Sequence, residues 1–136
     1  MADTMQFDLV APERRVASVR ATQVVIPGNE GDLTAMPEHA PLITTLRPGV
    51  LEVFTETGAQ KYIVTGGFAE INADGATVLA ERSHPVEDVT QEMINEMVAE
   101  ARAAHEQAHP DVVDASAKIL ADMVAMGSHI GFESQV

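Results

Sequence analysis

The chain has 136 residues, with 8 Lys+Arg against 21 Asp+Glu and a formal net charge of −13. That length fits one domain with at most a small appendage. The acidity excludes nucleic acid, whose phosphates need a basic stripe, and direct docking on anionic lipid. Zero Cys excludes disulfides, thiolate metal sites and Cys nucleophiles. No apolar run approaches the roughly 18–20 residues that span a bilayer, so a small, acidic, soluble, intracellular protein is expected.

Taken in chain order, the first 85 residues predict strands. Met5, Phe7 and Leu9 alternate with Gln6, Asp8 and Val10, the period of a half-buried strand. Residues 16–26 are β-branched and end at Pro27-Gly28-Asn29. Short strands are expected over 31–36, 41–46, 50–55 and 61–65, before Gly66-Gly67 interrupts as a break or bulge. Residues 68–72 and 76–81 flank an Ala73-Asp74-Gly75 turn and predict a hairpin. Seven or eight short strands with no helix between them imply an antiparallel β-sandwich or barrel over residues 1–85, of which the sandwich is the expectation.

Near residues 83–88, beside Pro85, the character changes. Seven of nine Gly and six of seven Pro precede that boundary, and Gly and Pro punctuate strands. The front carries 11 acidic against 6 basic residues, net −5; residues 86–136 carry 10 against 2, net −8. Val89, Met93, Ile94, Met97, Val98, Ala101 and Ala104 make one helical face, with Asp88 and Gln91 as a capping box. His109-Pro110-Asp111 breaks that helix and starts a second, striped by Val112, Ile119, Leu120, Met123 and Val124. The prediction is an antiparallel two-helix hairpin over 86–136, with its last eight or so residues disordered.

There is no phosphate-cradling Gly motif and no nucleophile elbow, and Gly127-Ser128-His129 falls near the terminus. His105 and His109 have the i, i+4 spacing that can chelate a metal, but no third ligand is fixed by motif. His39, in Pro37-Glu38-His39-Ala40-Pro41, suits a structural or contact role in a proline-stiffened loop better than a base, which would need a nucleophile or metal beside it. No catalytic residue, metal site or cofactor is expected. Two alternatives from other classes are a small ligand-binding β-sandwich with a helical lid, and a metal-dependent enzyme using His39 with Glu30 or Asp32.

One string carries more information. Val25-Ile26-Pro27-Gly28-Asn29-Glu30-Gly31-Asp32-Leu33, Met36-Pro37-Glu38-His39-Ala40-Pro41-Leu42-Ile43, Leu46-Arg47-Pro48-Gly49, Gly66-Gly67-Phe68-Ala69-Glu70-Ile71 and Val78-Leu79-Ala80-Glu81 stand in this order. Together they resemble the epsilon subunit of the F-type ATP synthase, from residue 5 to about 125. The resemblance implies a non-catalytic central-stalk subunit. It would bind the gamma subunit and the polar loops of the c-ring, coupling proton flow to ATP synthesis. Its place would be the cytoplasmic face of the bacterial inner membrane, held there by partners and not by lipid. The hairpin would fold against the sandwich or extend transiently toward the alpha/beta catalytic ring. By position, Glu30, Gly31 and Asp32 fall in the c-ring-facing loop, and His39, Ala40, Pro41 and Leu42 in the segment that shapes that end.

Three departures from the family pattern matter. Thr34 stands where Gly is common after Asp-Leu, and would stiffen the strand. Val98, Arg102 and Ala103 fit the ATP-binding motif of the first helix, but Ala99, Glu106 and His109 replace its Asp, second Ala and final Arg, which argues against ATP binding. The second helix offers only Lys118 among Asp111, Asp114 and Asp122, so at most weak inhibition of ATP hydrolysis is expected.

Overall fold

A computed structural model of the protein describes residues 4–132. The chain divides into two compact units, Met1–Pro85 and Val86–Val136.

The first unit is a β-sandwich made from one eight-stranded sheet. Its strands are β1 (Met5–Ala11), β2 (Arg14–Ala21), β3 (Gln23–Gly28), β4 (Gly31–Ala35), β5 (Leu42–Thr45), β6 (Gly49–Thr55), β7 (Gly58–Ile71) and β8 (Gly75–Pro85). The order is β2-β1-β8-β7-β6-β3-β4, with β5 also on β7. The alternation of β1 is what buries it. Met5, Phe7 and Leu9 are at most 1% exposed, and they meet Ala76, Val78, Ala69, Ile71, Val24, Ile26, Leu51, Val53 and Val64 in one apolar cluster. Each fully buried Phe or Leu contributes about 1.5–3 kcal/mol relative to exposure.

Three strand expectations change. The sheet is not wholly antiparallel, because β1 runs parallel to β8, with Phe7 opposite Ala76 and Leu9 opposite Val78. The predicted strand over 16–26 is two strands, since β2 pairs with β1 and β3 with β6. Between them Thr22 donates from its N–H (2.7 Å) and its hydroxyl (3.1 Å) to the Phe54 carbonyl, which turns the chain from one ladder to the other.

The third change is at Gly66-Gly67, which does not interrupt: β7 runs through it in unbroken register with β8, from Tyr62↔Pro85 to Ile71↔Ala76. Its first half pairs with β6 and its second half with β5, so the glycines mark the corner where β7 changes partners. Gly66 and Gly67 take φ of +60° and +94°, and a Cβ on Gly67 would lie 1.9 Å from the Leu79 carbonyl oxygen. Only glycine fits there.

The second unit is a helical hairpin of α1 (Gln91–Glu106) and α2 (Val113–His129). Its opening cap is Thr90 and not Asp88: Thr90 is extended and its hydroxyl accepts the Met93 N–H at 3.2 Å, whereas Asp88 closes a short 3-10 turn, Val86–Asp88. Thr90 thus satisfies one of the first-turn donors that no helical carbonyl reaches. At the link, His109 Nδ1 accepts the Asp111 N–H at 3.2 Å, and Pro110 opens a second 3-10 turn, Pro110–Val112. The buried side chains are Ile94, Met97, Val98 and Ala101 on α1 and Met123 and Met126 on α2. Gly127 lets the helices close, since a Cβ there would sit 2.8 Å from Ile94 Cγ2. Of the tail expected to be disordered, His129 ends α2, and residues 133–136 lie outside the described residues.

Candidate functional site

Of the segments singled out in the sequence, residues 29–33 and 42–45 come together, while the connection 36–41 lies at the other end of β4. Strands β3 and β4 form a hairpin in which Gly28 pairs with Gly31, leaving Asn29 and Glu30 as a two-residue tip. Gly31 takes φ +136° with nothing within 4 Å of where a Cβ would be. It is glycine for its backbone and not for space. Strand β5 lies alongside: the Asn29 N–H donates to the Thr45 carbonyl at 2.8 Å, and Gly28 bridges to Leu46. Between tip and strand runs a groove of about 550 Å³ lined by residues 29–33 and 42–45.

Glu30, Gly31, Asp32 and Leu42 therefore share one groove, while His39, Ala40 and Pro41 do not line it. Those three belong to the connection from β4 to β5. There Pro37 and Glu38 occupy the centre of a turn closed by the His39 N–H to the Met36 carbonyl (3.1 Å). Glu38 carries φ +65°, as the third position of a type II turn requires, a strained setting for a non-glycine residue. The Glu38 N–H donates to the Ala73 carbonyl at 3.1 Å, tying the loop to the β7–β8 turn. His39 Nδ1 donates to the Ala40 carbonyl at 2.5 Å, so that ring nitrogen is used locally.

Arg47, within Leu46-Arg47-Pro48-Gly49, braces the tip. Its guanidinium donates to the Gly28 carbonyl and to Asp32 Oδ1, both at 2.5 Å, and its N–H donates to the Pro27 carbonyl at 3.1 Å. Asp32 lies 15 residues away in sequence, so no local pattern announces the pair.

The sandwich also carries a second, apolar surface. On the outer face of the sheet Val10 lies opposite Leu79, and Leu79 opposite Phe68. Leu79 and Phe68 are 38% and 44% exposed, and Ile43 on β5 is 67% exposed. A row of exposed large apolar side chains marks an interaction surface. The signal was available in the strand period, because Phe68 is out of phase with the buried Ala69 and Ile71.

In the hairpin, Val98 is buried, Arg102 half-buried and Ala103 exposed; Ala99, Glu106 and His109 are exposed. His105 Nδ1 lies 2.9 Å from Ser116 Oγ, which itself donates to the Val113 carbonyl. His105 thus links the two helices, and His109 caps a turn. Among the described residues no group of three or more His, Cys, Asp or Glu could hold a metal ion. No helix among them is long and apolar enough to cross a membrane.

Residues 4–86 match the family model described as ATP synthase, Delta/Epsilon chain, beta-sandwich domain. The ATP synthase epsilon chain of Rhodobacter capsulatus is 59% identical, over 96% of this chain and 98% of its own length. That of Paracoccus denitrificans (strain Pd 1222) is 53% identical, over 98% and 95%. In solved structures the same fold occurs in a chain of the Euglena gracilis mitochondrial ATP synthase (OSCP/F1/c-ring), at TM-score 0.74 and 22% identity, covering 96% of this chain and 83% of that one. It occurs again in the central stalk/c-ring structure from Tetrahymena thermophila, at TM-score 0.63 and 14% identity, covering 92% and 94%. The family match takes the place of the ligand-binding and metal-enzyme alternatives: the chain belongs to the family of ATP synthase epsilon chains, non-catalytic subunits of that enzyme.

Proposed function

We propose that the chain works in the central stalk of a bacterial F-type ATP synthase as a coupling element without chemistry of its own. The sandwich binds the gamma subunit and meets the polar loops of the c-ring, so proton-driven rotation reaches the alpha/beta ring. The observation that supports this most is the end described above, where Glu30, Gly31, Asp32 and Leu42 share a groove on a strand framework. Recognition loops on rigid sheets act without loosening the fold. The row of half-buried Val10 with exposed Leu79 and Phe68 gives the gamma subunit an apolar counterpart on the same unit. His39, Ala40 and Pro41 act through the shape of the β4–β5 connection. The site of action is the cytoplasmic face of the inner membrane, where partner proteins hold an acidic chain that lipid would repel.

The helical hairpin has a lesser role. It reaches the alpha/beta ring transiently and inhibits hydrolysis at most weakly, because a net charge of −8 opposes approach to acidic surfaces. Val98, Arg102 and Ala103 are the remnant of an ATP site without its distal cation, and ATP is not bound usefully.

Charge reversal tests the contact. Glu30→Lys with Asp32→Lys should weaken association with the membrane sector about tenfold or more, with little change in thermal stability. Unchanged association would move the contact off this loop. In a pull-down, one-to-one capture by gamma is expected from the unaltered chain, and no capture would overturn the stalk assignment.

A further inference from the structure

We propose that Arg47 is a positioning residue for the contact loop. It locks the turn at 29–32 so that Glu30 alone is the carboxylate offered to the partner, and Asp32 serves as the anchor of Arg47. This rests on the reading of that loop as the c-ring contact, and it divides two acidic residues that sequence treats alike.

The division follows from where each charge is spent. The two guanidinium nitrogens of Arg47 bond to the last residue of β3, through the Gly28 carbonyl, and to the second residue of β4, through Asp32 Oδ1. One side chain therefore spans the base of the two-residue tip. Backbone bonds fix its root: the Arg47 N–H to the Pro27 carbonyl at 3.1 Å and the Asn29 N–H to the Thr45 carbonyl at 2.8 Å. The next residues hold that root in place. Pro48 is buried, and Gly49 stands so close to Pro27 that a Cβ would be 2.8 Å from its ring. The Arg47 side chain is 24% exposed against 60% for Asp32, so the arginine is the inner member of the pair.

An ion pair this exposed adds little to stability. Its value is directional, because a planar fork fixes two acceptors at once where an ammonium would fix neither angle. Asp32 is occupied by Arg47. Glu30, at the exposed tip, makes no hydrogen bond or ion pair among the described residues. Its free carboxylate selects a partner loop bearing donors, basic or amide.

The test uses F1 assembled with full-length variants and rebound to membranes stripped of F1. Glu30→Gln should weaken rebinding about tenfold, equal to about 1.4 kcal/mol, and Arg47→Ala by a similar factor. The double variant should be no weaker than the worse single, since both act on one contact. Asp32→Asn should cost nothing further once Arg47 is Ala. Arg47→Lys, which keeps the charge and loses the fork, should stay close to Arg47→Ala. It also carries the test if Arg47→Ala fails to fold. In the isolated chain, amide exchange at Glu30 and Gly31 should quicken in the Arg47 variants while the melting temperature holds.

Full rebinding by Arg47→Ala, or losses that simply add to those of Glu30→Gln, would overturn the positioning role and leave the contact intact. Further loss from Asp32→Asn in the Arg47→Ala background would make Asp32 a contact in its own right and overturn the division. Insensitivity of rebinding to Glu30 altogether would overturn the contact reading, and the role of Arg47 with it.

Discussion

The two units of this chain spend their apolar residues differently. In the sandwich, Phe7, Leu9, Ile26, Leu51, Ile63 and Val64 are fully buried, and the strands that carry them are laddered on both sides. In the helices of the hairpin only Ile94 and Val98 are buried branched residues, the rest of the seam being Met97, Ala101, Met123, Met126 and Gly127, and Val112, Val113 and Ile119 remain 38–50% exposed. Branched and aromatic side chains with few rotamers specify one packing. Methionine fills gaps and adapts. Charge sharpens the contrast, with net −5 over 85 residues against net −8 over 51. The sandwich is suited to hold a loop in fixed geometry, and the hairpin to change what it touches.

The largest expected effect lies at the corner of β7. Gly67→Ala would place a methyl 1.9 Å from the Leu79 carbonyl oxygen at φ +94°, with no flexible side chain to yield. A loss of about 4 kcal/mol or more is expected, enough to unfold the sandwich. Gly58→Ala is the control: its φ is +153° but nothing lies within 4 Å, so only backbone strain of about 1–2 kcal/mol applies. Urea titration of both variants gives the difference directly. Similar midpoints would mean that the corner relaxes, and that the sandwich is not the rigid unit described.

That corner also shows where sequence reasoning stops. The alternation of Met5, Phe7 and Leu9 is local, and β1 follows from it. Two glycines in a strand pattern look like an ending, because no sequence signal distinguishes a break from a bend in an unbroken ladder. The parallel pairing of β1 with β8 joins residues about 70 apart and has no periodicity to announce it. At the hairpin start, Asp88 and Thr90 both satisfy the cap pattern, and only backbone geometry chooses Thr90. At the loop end, Glu30, Asp32 and Leu42 were recognisable from their motif. The clamp by Arg47 was not, because it depends on β5 bringing residue 47 back beside residue 32. Residues whose role is set by their own neighbours could be found, and those whose role is set by a strand crossing could not.

A middle-sized effect compares the two cores. Phe7→Ala should cost about 3–5 kcal/mol and Met97→Ala about 2, the low end for a methionine in a seam that can collapse. For units of this size each kcal/mol moves the melting temperature by about 4–8 °C. The first substitution should lower the transition followed through strand signals, and the second the one followed through helix signals. If Met97→Ala proved as costly as Phe7→Ala, the hairpin seam would be as tightly specified as the sandwich core.

The smallest effect is electrostatic and belongs to the hairpin alone. Lys118 and Asp122 form an i, i+4 pair at 2.7 Å, with side chains 50% and 22% exposed. Pairs of this kind contribute about 0.2–0.5 kcal/mol, less when the cation precedes the anion, as here. Yet Lys118 is one of only two Lys or Arg among the hairpin's residues, against ten acidic ones, so Lys118→Gln also deepens a field of like charge. Added salt screens that repulsion, with a Debye length falling from about 10 Å at 0.1 M to about 3 Å at 1 M. Lys118→Gln should therefore lower helix stability by about 0.5 kcal/mol at low salt and by almost nothing at 1 M. The unaltered hairpin should gain stability over the same range, while the sandwich, with six cations among eleven anions, changes less. Circular dichroism melts across a salt series separate the two units. A hairpin that lost stability with salt would show that specific pairs outweigh net charge there, and would remove the electrostatic ground for weak inhibition.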